Sequence, residues 1–120
     1  MPQNATSHFA SEIEESKLVK HFLNELDLGV RAANQEIIHA RIPDLDREKA
    51  FIFATMVARL RADYLDAAFK LCSPEGKSDP KDIDALRAKR QSYEEAREAF
   101  AALRHAIEVG YIDVAKLNKG

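Results

Sequence analysis

Glycine, proline and cysteine are scarce in this sequence of 120 residues, which has four glycines, four prolines and one cysteine. The scarcity of helix breakers and the lack of β-branched runs argue against a sheet-rich fold. Ala, Glu, Lys, Leu and Arg dominate instead, as they do in all-helical chains. The single cysteine, Cys72, excludes a disulfide within the chain and favours a reducing compartment. The composition therefore predicts an all-α protein.

The sequence also lacks the signals of membranes, secretion and nucleic-acid binding. No apolar run approaches the roughly 20 residues of a membrane span. The first ten residues lack the charged start and apolar core of a signal peptide. A net charge of −2 argues against a dedicated nucleic-acid binder, whose surface is usually basic. We expect a cytoplasmic protein that binds neither a membrane nor a nucleic acid.

Motifs of catalysis are missing as well. A Gly-x-Ser-x-Gly nucleophile elbow does not occur, and the one loop suited to phosphate contains a single glycine, Gly76. Cys72 is predicted at the C-terminal end of a helix, where the helix dipole disfavours a thiolate. The sequence predicts no catalytic residue and no cofactor, and it favours a non-enzymatic role.

Hydrophobic periodicity predicts three long helices and a short one at the C-terminus. A capping box at Ser11 opens the first helix after a flexible arm at residues 1–10. Pro43 ends that helix and reverses the chain, and Asp79 with Pro80 restarts it for the third. The predicted helices cover residues 11–41, 46–72, 79–109 and 111–117. Residues 11–120 are thus expected to form one domain, an antiparallel bundle.

The second helix is predicted to be the centre of this bundle, because it carries apolar residues on two sides. Folding the first helix back along it places Gly29 level with Ala58, and Ala33 level with Ala54. Together with Ala62, these small residues predict a close approach of two helix backbones. A glycine inside a helix costs about 1 kcal/mol relative to alanine, and close packing would explain it. A kink or break at Gly29 is the alternative.

Four large apolar side chains lie outside the main apolar arcs of the predicted helices. They are Leu28, Ile38, Ile52 and Met56. Three helices of this length make a thin bundle, and a second copy of the chain would cover these residues. The sequence therefore predicts a homodimer or a higher oligomer. Isolated apolar residues on a monomer surface are the alternative.

Arg61 lies inside the apolar arc of the second helix, which predicts that it is at least partly buried. A buried guanidinium needs a carboxylate nearby. In the antiparallel register Glu25 is the first candidate, and Glu94 or Glu95 are the others. Two alternatives remain open. Arg61 can lay its methylene groups on the core and reach water, or it can hold an anionic ligand between helices.

Metal binding is the remaining chemical hypothesis. Glu36 and His39 have the Glu-x-x-His spacing of di-iron bundles, but those sites use two such pairs. His21 and Glu25 lie on the same flank of the first helix. The sequence thus favours a homo-oligomer or small adaptor that works through protein–protein contacts. The alternative is a bundle that binds a metal or small ligand at this flank or near Arg61. Elemental analysis and the mass in solution would separate the two.

Overall fold

The computed structural model of the chain describes residues 2–72, 79–113 and 117, with side chains from residue 7 onward. It contains α1 (Pro2–Arg41), α2 (Arg47–Leu71) and α3 (Pro80–Glu108). Within those ranges the chain has no strand, so the prediction of an all-α protein with three long helices is confirmed. Of the short helix predicted at residues 111–117, residues 111–113 are not helical, residues 114–116 lie outside the described residues, and Leu117 is helical.

Local signals explain where α2 and α3 begin. The Asp46 carboxylate accepts a hydrogen bond from the Lys49 backbone N–H at 2.9 Å, which caps α2. The Asp79 carboxylate accepts from the Lys81 N–H at 3.0 Å, and Pro80 occupies the first turn of α3. Each cap satisfies a backbone donor that lacks a partner inside the helix. Both starts agree with the sequence prediction.

The start of α1 differs from its prediction. The helix already begins at Pro2, so residues 2–10, predicted as a flexible arm, continue the same helix. His8 and Glu12 are paired at 3.1 Å across the predicted boundary at Ser11. The reason is local: no glycine or proline interrupts residues 3–11, and a proline suits the first turn of a helix.

α2 and α3 pack against each other as an antiparallel hairpin. The rings of Phe53 and Phe100 have centroids 5.4 Å apart, and those of Tyr64 and Tyr93 are 6.0 Å apart. Higher numbers on α2 therefore meet lower numbers on α3. The buried residues of this interface are small: Val57 is the buried residue of α2, and Ala96 is the buried residue of α3.

α1 does not pack alongside α2 and α3. The predicted antiparallel bundle of three helices is therefore wrong in this respect. Over its described residues, α1 makes no extensive contact with α2 or α3. The Cα atoms of the chain extend over 85 Å, whereas α1, with its 40 residues, spans about 60 Å on its own. α1 therefore projects from the hairpin. None of the described helices combines the length and apolar character that a membrane crossing requires.

The turn between α1 and α2 is held by local bonds. The Leu45 backbone N–H donates to the Ile42 carbonyl at 3.3 Å. The Lys49 ammonium donates to the Asp44 carboxylate, and this hydrogen bond lowers the pKa of Asp44. Pro43 ends α1 as predicted, but the turn does not lay α1 along α2.

The predicted close approach at Gly29 and Ala58 is consequently absent within the chain. A Cβ atom on Gly29 would have no heavy atom within 4 Å beyond its own local backbone. Ala33, Ala58 and Ala62 are exposed and Ala54 is half-buried. Gly29 and Ala33 can be aligned with Ala58 and Ala54 along the sequence, but α1 does not lie beside α2 in the structure.

Two glycine substitutions test this arrangement. Gly29→Ala should raise the melting temperature, because alanine is favoured by up to about 1 kcal/mol inside a helix. Gly110→Ala should lower it, since Gly110 has φ +82° and a Cβ there would lie 3.3 Å from Nε of Arg31. Circular dichroism during heating measures both variants. A lower melting temperature for Gly29→Ala would contradict this arrangement and would indicate that another helix approaches Gly29 closely.

Candidate functional site

An apolar stripe along α1 is uncovered by the rest of the described chain. Its members follow alternating steps of four and three residues, and all are exposed: Val19, Leu23, Leu26, Val30, Ala33, Ile37 and Ala40. We call these seven residues the α1 seam. Alternating steps of three and four place side chains on one face of a helix, as in coiled coils. A stripe of this kind is normally buried against another element.

The contacts of α1 with its own chain use a different face. The Gln35 side-chain amide donates to the Gly110 carbonyl at 2.7 Å, and the Arg31 side chain lies against Gly110. Ile38 is half-buried and lines a cavity with Leu45. These residues lie roughly 140° around the helix from the centre of the α1 seam. The hairpin therefore cannot cover the seam while these contacts persist.

The accessible surface of the chain agrees with this picture. It measures 9852 Å², whereas a compact monomer of 13.5 kDa exposes roughly 6,500 Å². Few described residues are buried in return: Val57, Ala96 and Leu117. A single chain thus leaves about 3,000 Å² more surface in water than its size requires.

A second uncovered stripe runs along α2. Phe51, Leu65 and Phe69 are exposed on it, and Phe69 keeps 74% of its surface. Exposed Ala58 and Ala62 lie between these large side chains. The prediction that α2 is covered from two directions is therefore wrong for the single chain. α3 covers one of the two apolar sides, and the α1 helix that was expected on the other side lies elsewhere.

Arg61 is exposed, and the prediction of a carboxylate partner is wrong for the described chain. Its Nε donates to the Tyr93 hydroxyl at 3.2 Å, and its guanidinium lies 5.4 Å from the centre of that ring. Arg97 lies 5.8 Å from the same ring. Glu25 is on α1, away from this cluster, and Glu94 pairs with a neighbour on α3. A cation–π contact at an exposed site contributes about 0.5–1 kcal/mol, and an exposed guanidinium needs no counter-ion.

The candidate metal ligands are not assembled within one chain. His21 and Glu25 form an i,i+4 pair at 2.7 Å on the surface of α1. His39 lines the cavity next to Ile38, whereas Glu36 does not line it. Across the described residues, no three His, Cys, Asp or Glu side chains come together. Metal binding at this flank stays the alternative hypothesis.

The cavity at the base of α1 has a volume of about 110 Å³. The residues around it come from the end of α1, the turn after it and the segment after α3: Gln35, Ile38, His39, Ile42, Leu45, Tyr111, Ile112, Asp113 and Leu117. Pockets for typical ligands measure about 300–1,000 Å³. The cavity therefore fits a helix junction better than a ligand site. In the sequence, the apolar residues after Gly110 are the signal that indicates this helix junction.

The four residues predicted as an oligomer surface differ in environment. Leu28, Ile52 and Met56 are exposed, and they are available to a partner. Ile38 instead packs at the junction with its own chain. Leu28 lies on the side of α1 opposite the seam. Whether the three exposed residues line an interface stays a prediction.

A comparison of the chain with protein-family models, curated proteins and solved structures found no match. The two uncovered stripes are therefore the features of the molecule that indicate a function.

Proposed function

We propose that the chain is a non-enzymatic, cytoplasmic helical module that joins protein chains through α1, with a second copy of itself as the partner. The observation that carries this proposal is the orientation of the α1 seam. Gln35 and Arg31 fix the opposite face of α1 against Gly110. The seam is thus presented to other molecules along its whole length.

The area available is sufficient for a stable complex. Standard interfaces bury about 800 Å² on each partner, and obligate dimers bury more. The surplus of about 3,000 Å² estimated from the size of the chain exceeds that need. The seam and the α2 stripe together hold eight of the seventeen exposed large apolar side chains of the described residues. Apolar burial of this kind is the main favourable term in subunit association.

Light scattering at micromolar protein concentration tests the proposal. We expect a mass of about twice the 13.5 kDa of one chain, or more. The melting temperature should also rise with protein concentration, because association stabilises the folded state by mass action. The mass of a single chain over this range would contradict self-association and would assign the seam to a different protein.

A further inference from the structure

We infer that two copies of the chain pair through their α1 helices in a parallel, in-register coiled coil. This inference rests on the proposed self-association and specifies its geometry. In heptad notation, Leu23, Val30 and Ile37 occupy the a positions of the seam. The d positions are Val19, Leu26, Ala33 and Ala40. Val30 and Ile37 at a, with Leu26 at d, follow the pattern of β-branched a residues and leucine d residues that favours parallel two-stranded coiled coils. The other four residues of the seam depart from that pattern, so the orientation is decided by the flanking charges.

The charges that flank the seam fit the parallel arrangement. In a parallel pair, each g residue lies beside the e residue that follows five positions later in the other helix. Glu15 at g then meets Lys20 at e of the second copy, and Glu36 at g meets Arg41 at e. Both pairs unite opposite charges, and symmetry forms each of them twice. Such rim pairs select orientation more than they add affinity.

The antiparallel alternative loses this complementarity. An antiparallel register that pairs a with d positions places residue 19 opposite residue 37 of the other helix, and e positions then face e positions. Asp27 meets its own copy across that interface, and Glu36 no longer lies beside Arg41. Like charges in direct opposition disfavour an interface. The parallel register is therefore the one that the flanking residues support.

The contacts within each chain leave room for this pairing. Arg31 and Ile38 occupy b positions, and Gln35 and Ile42 occupy f positions, which lie on the outside of a coiled coil. These residues hold α1 to the Gly110 junction. Both hairpins consequently lie outside the coil, at the same end, and neither obstructs the seam.

Disulfide trapping in a Cys72→Ser background tests the register. Val19→Cys places a thiol at a d position near one end of the seam, where a parallel pair brings the two copies within disulfide distance. An antiparallel pair would separate the two thiols by about 27 Å along the axis. We expect a covalent dimer that a reductant reverses. It should form at least ~10-fold faster than with Leu28→Cys, the matched control at an outward f position.

Two outcomes would overturn the inference, and they are distinguishable. Suppose that the mass is dimeric but Val19→Cys and Leu28→Cys react equally slowly. Cross-linking between mixed Val19→Cys and Ile37→Cys chains would then show antiparallel pairing, with the self-association intact. A monomeric mass for the Cys72→Ser parent would overturn both the register and the proposed function.

Discussion

Leu26→Lys will abolish self-association, whereas Leu28→Lys, two residues further along the same helix, will leave it intact. Leu26 occupies a d position near the middle of the α1 seam, and the parallel dimer would place its two copies next to each other. Two ammonium groups buried together cost several kcal/mol, since each needs water or a counter-ion. We expect the dimer dissociation constant to rise by at least ~100-fold, which corresponds to about 2.7 kcal/mol.

Leu28→Lys is a matched control for Leu26→Lys. The two variants introduce the same chemical change on the same helix, at residues of similar exposure. In the single chain Leu26 keeps 48% of its surface exposed and Leu28 keeps 62%. Light scattering over a dilution series measures both variants. Circular dichroism should also show a loss of helix for Leu26→Lys, because most of the stability of a protein helix comes from the packing of its apolar face. The reverse result would discard the seam and support the predicted surface of Leu28, Ile52 and Met56.

The elements of the fold were predictable because their signals are local. Asp46 caps α2, and Asp79 with Pro80 starts α3, through bonds that span two or three residues. Gly110 ends the helical run with a positive φ that glycine adopts without strain. The error at Ser11 has the same origin. A capping box permits a helix to start there, but nothing before Ser11 forces the preceding residues out of the helix.

The placement of α1 could not be predicted, since its apolar stripe shows that it needs a partner but does not say which chain supplies it. The match of Gly29 with Ala58 suggested the neighbouring helix. The structure attaches α1 through Gln35 and Arg31 to Gly110. Neither polar residue is distinctive in a single sequence. A hydrogen bond between residues so far apart in the chain has no periodic signal.

Arg61 was misjudged for a related reason. Its place in the apolar arc indicates burial only if that arc is covered on both sides. With α1 elsewhere, the guanidinium is exposed and rests on Tyr93. The same missing cover leaves Phe51 and Phe69 in water. One long-range error therefore produced both the false ion pair and the false close packing of alanines.

The hairpin, in contrast to α1, is expected to depend on its own small core. Ala96 lies on the face of α3 that packs on α2 and keeps 8% of its surface exposed. Ala102 lies on the same helix and is exposed. Ala96→Asp should destabilise the hairpin by more than about 2 kcal/mol, because the carboxylate loses water without gaining a partner. Ala102→Asp should cost less than about 1 kcal/mol, the helix propensity term that both variants share.

Urea unfolding at one fixed protein concentration measures the two midpoints, with tyrosine fluorescence as the probe. In a Tyr111→Phe background, which removes the tyrosine beside α1, the signal comes from Tyr64 and Tyr93. These two rings stack across the hairpin at 6.0 Å, so the signal follows the α2–α3 interface rather than α1. We expect a clearly lower midpoint for Ala96→Asp and a nearly unchanged one for Ala102→Asp. Equal midpoints would mean that Ala96 is not part of a packed interface. The antiparallel hairpin, on which the outward direction of the α1 seam depends, would then be wrong.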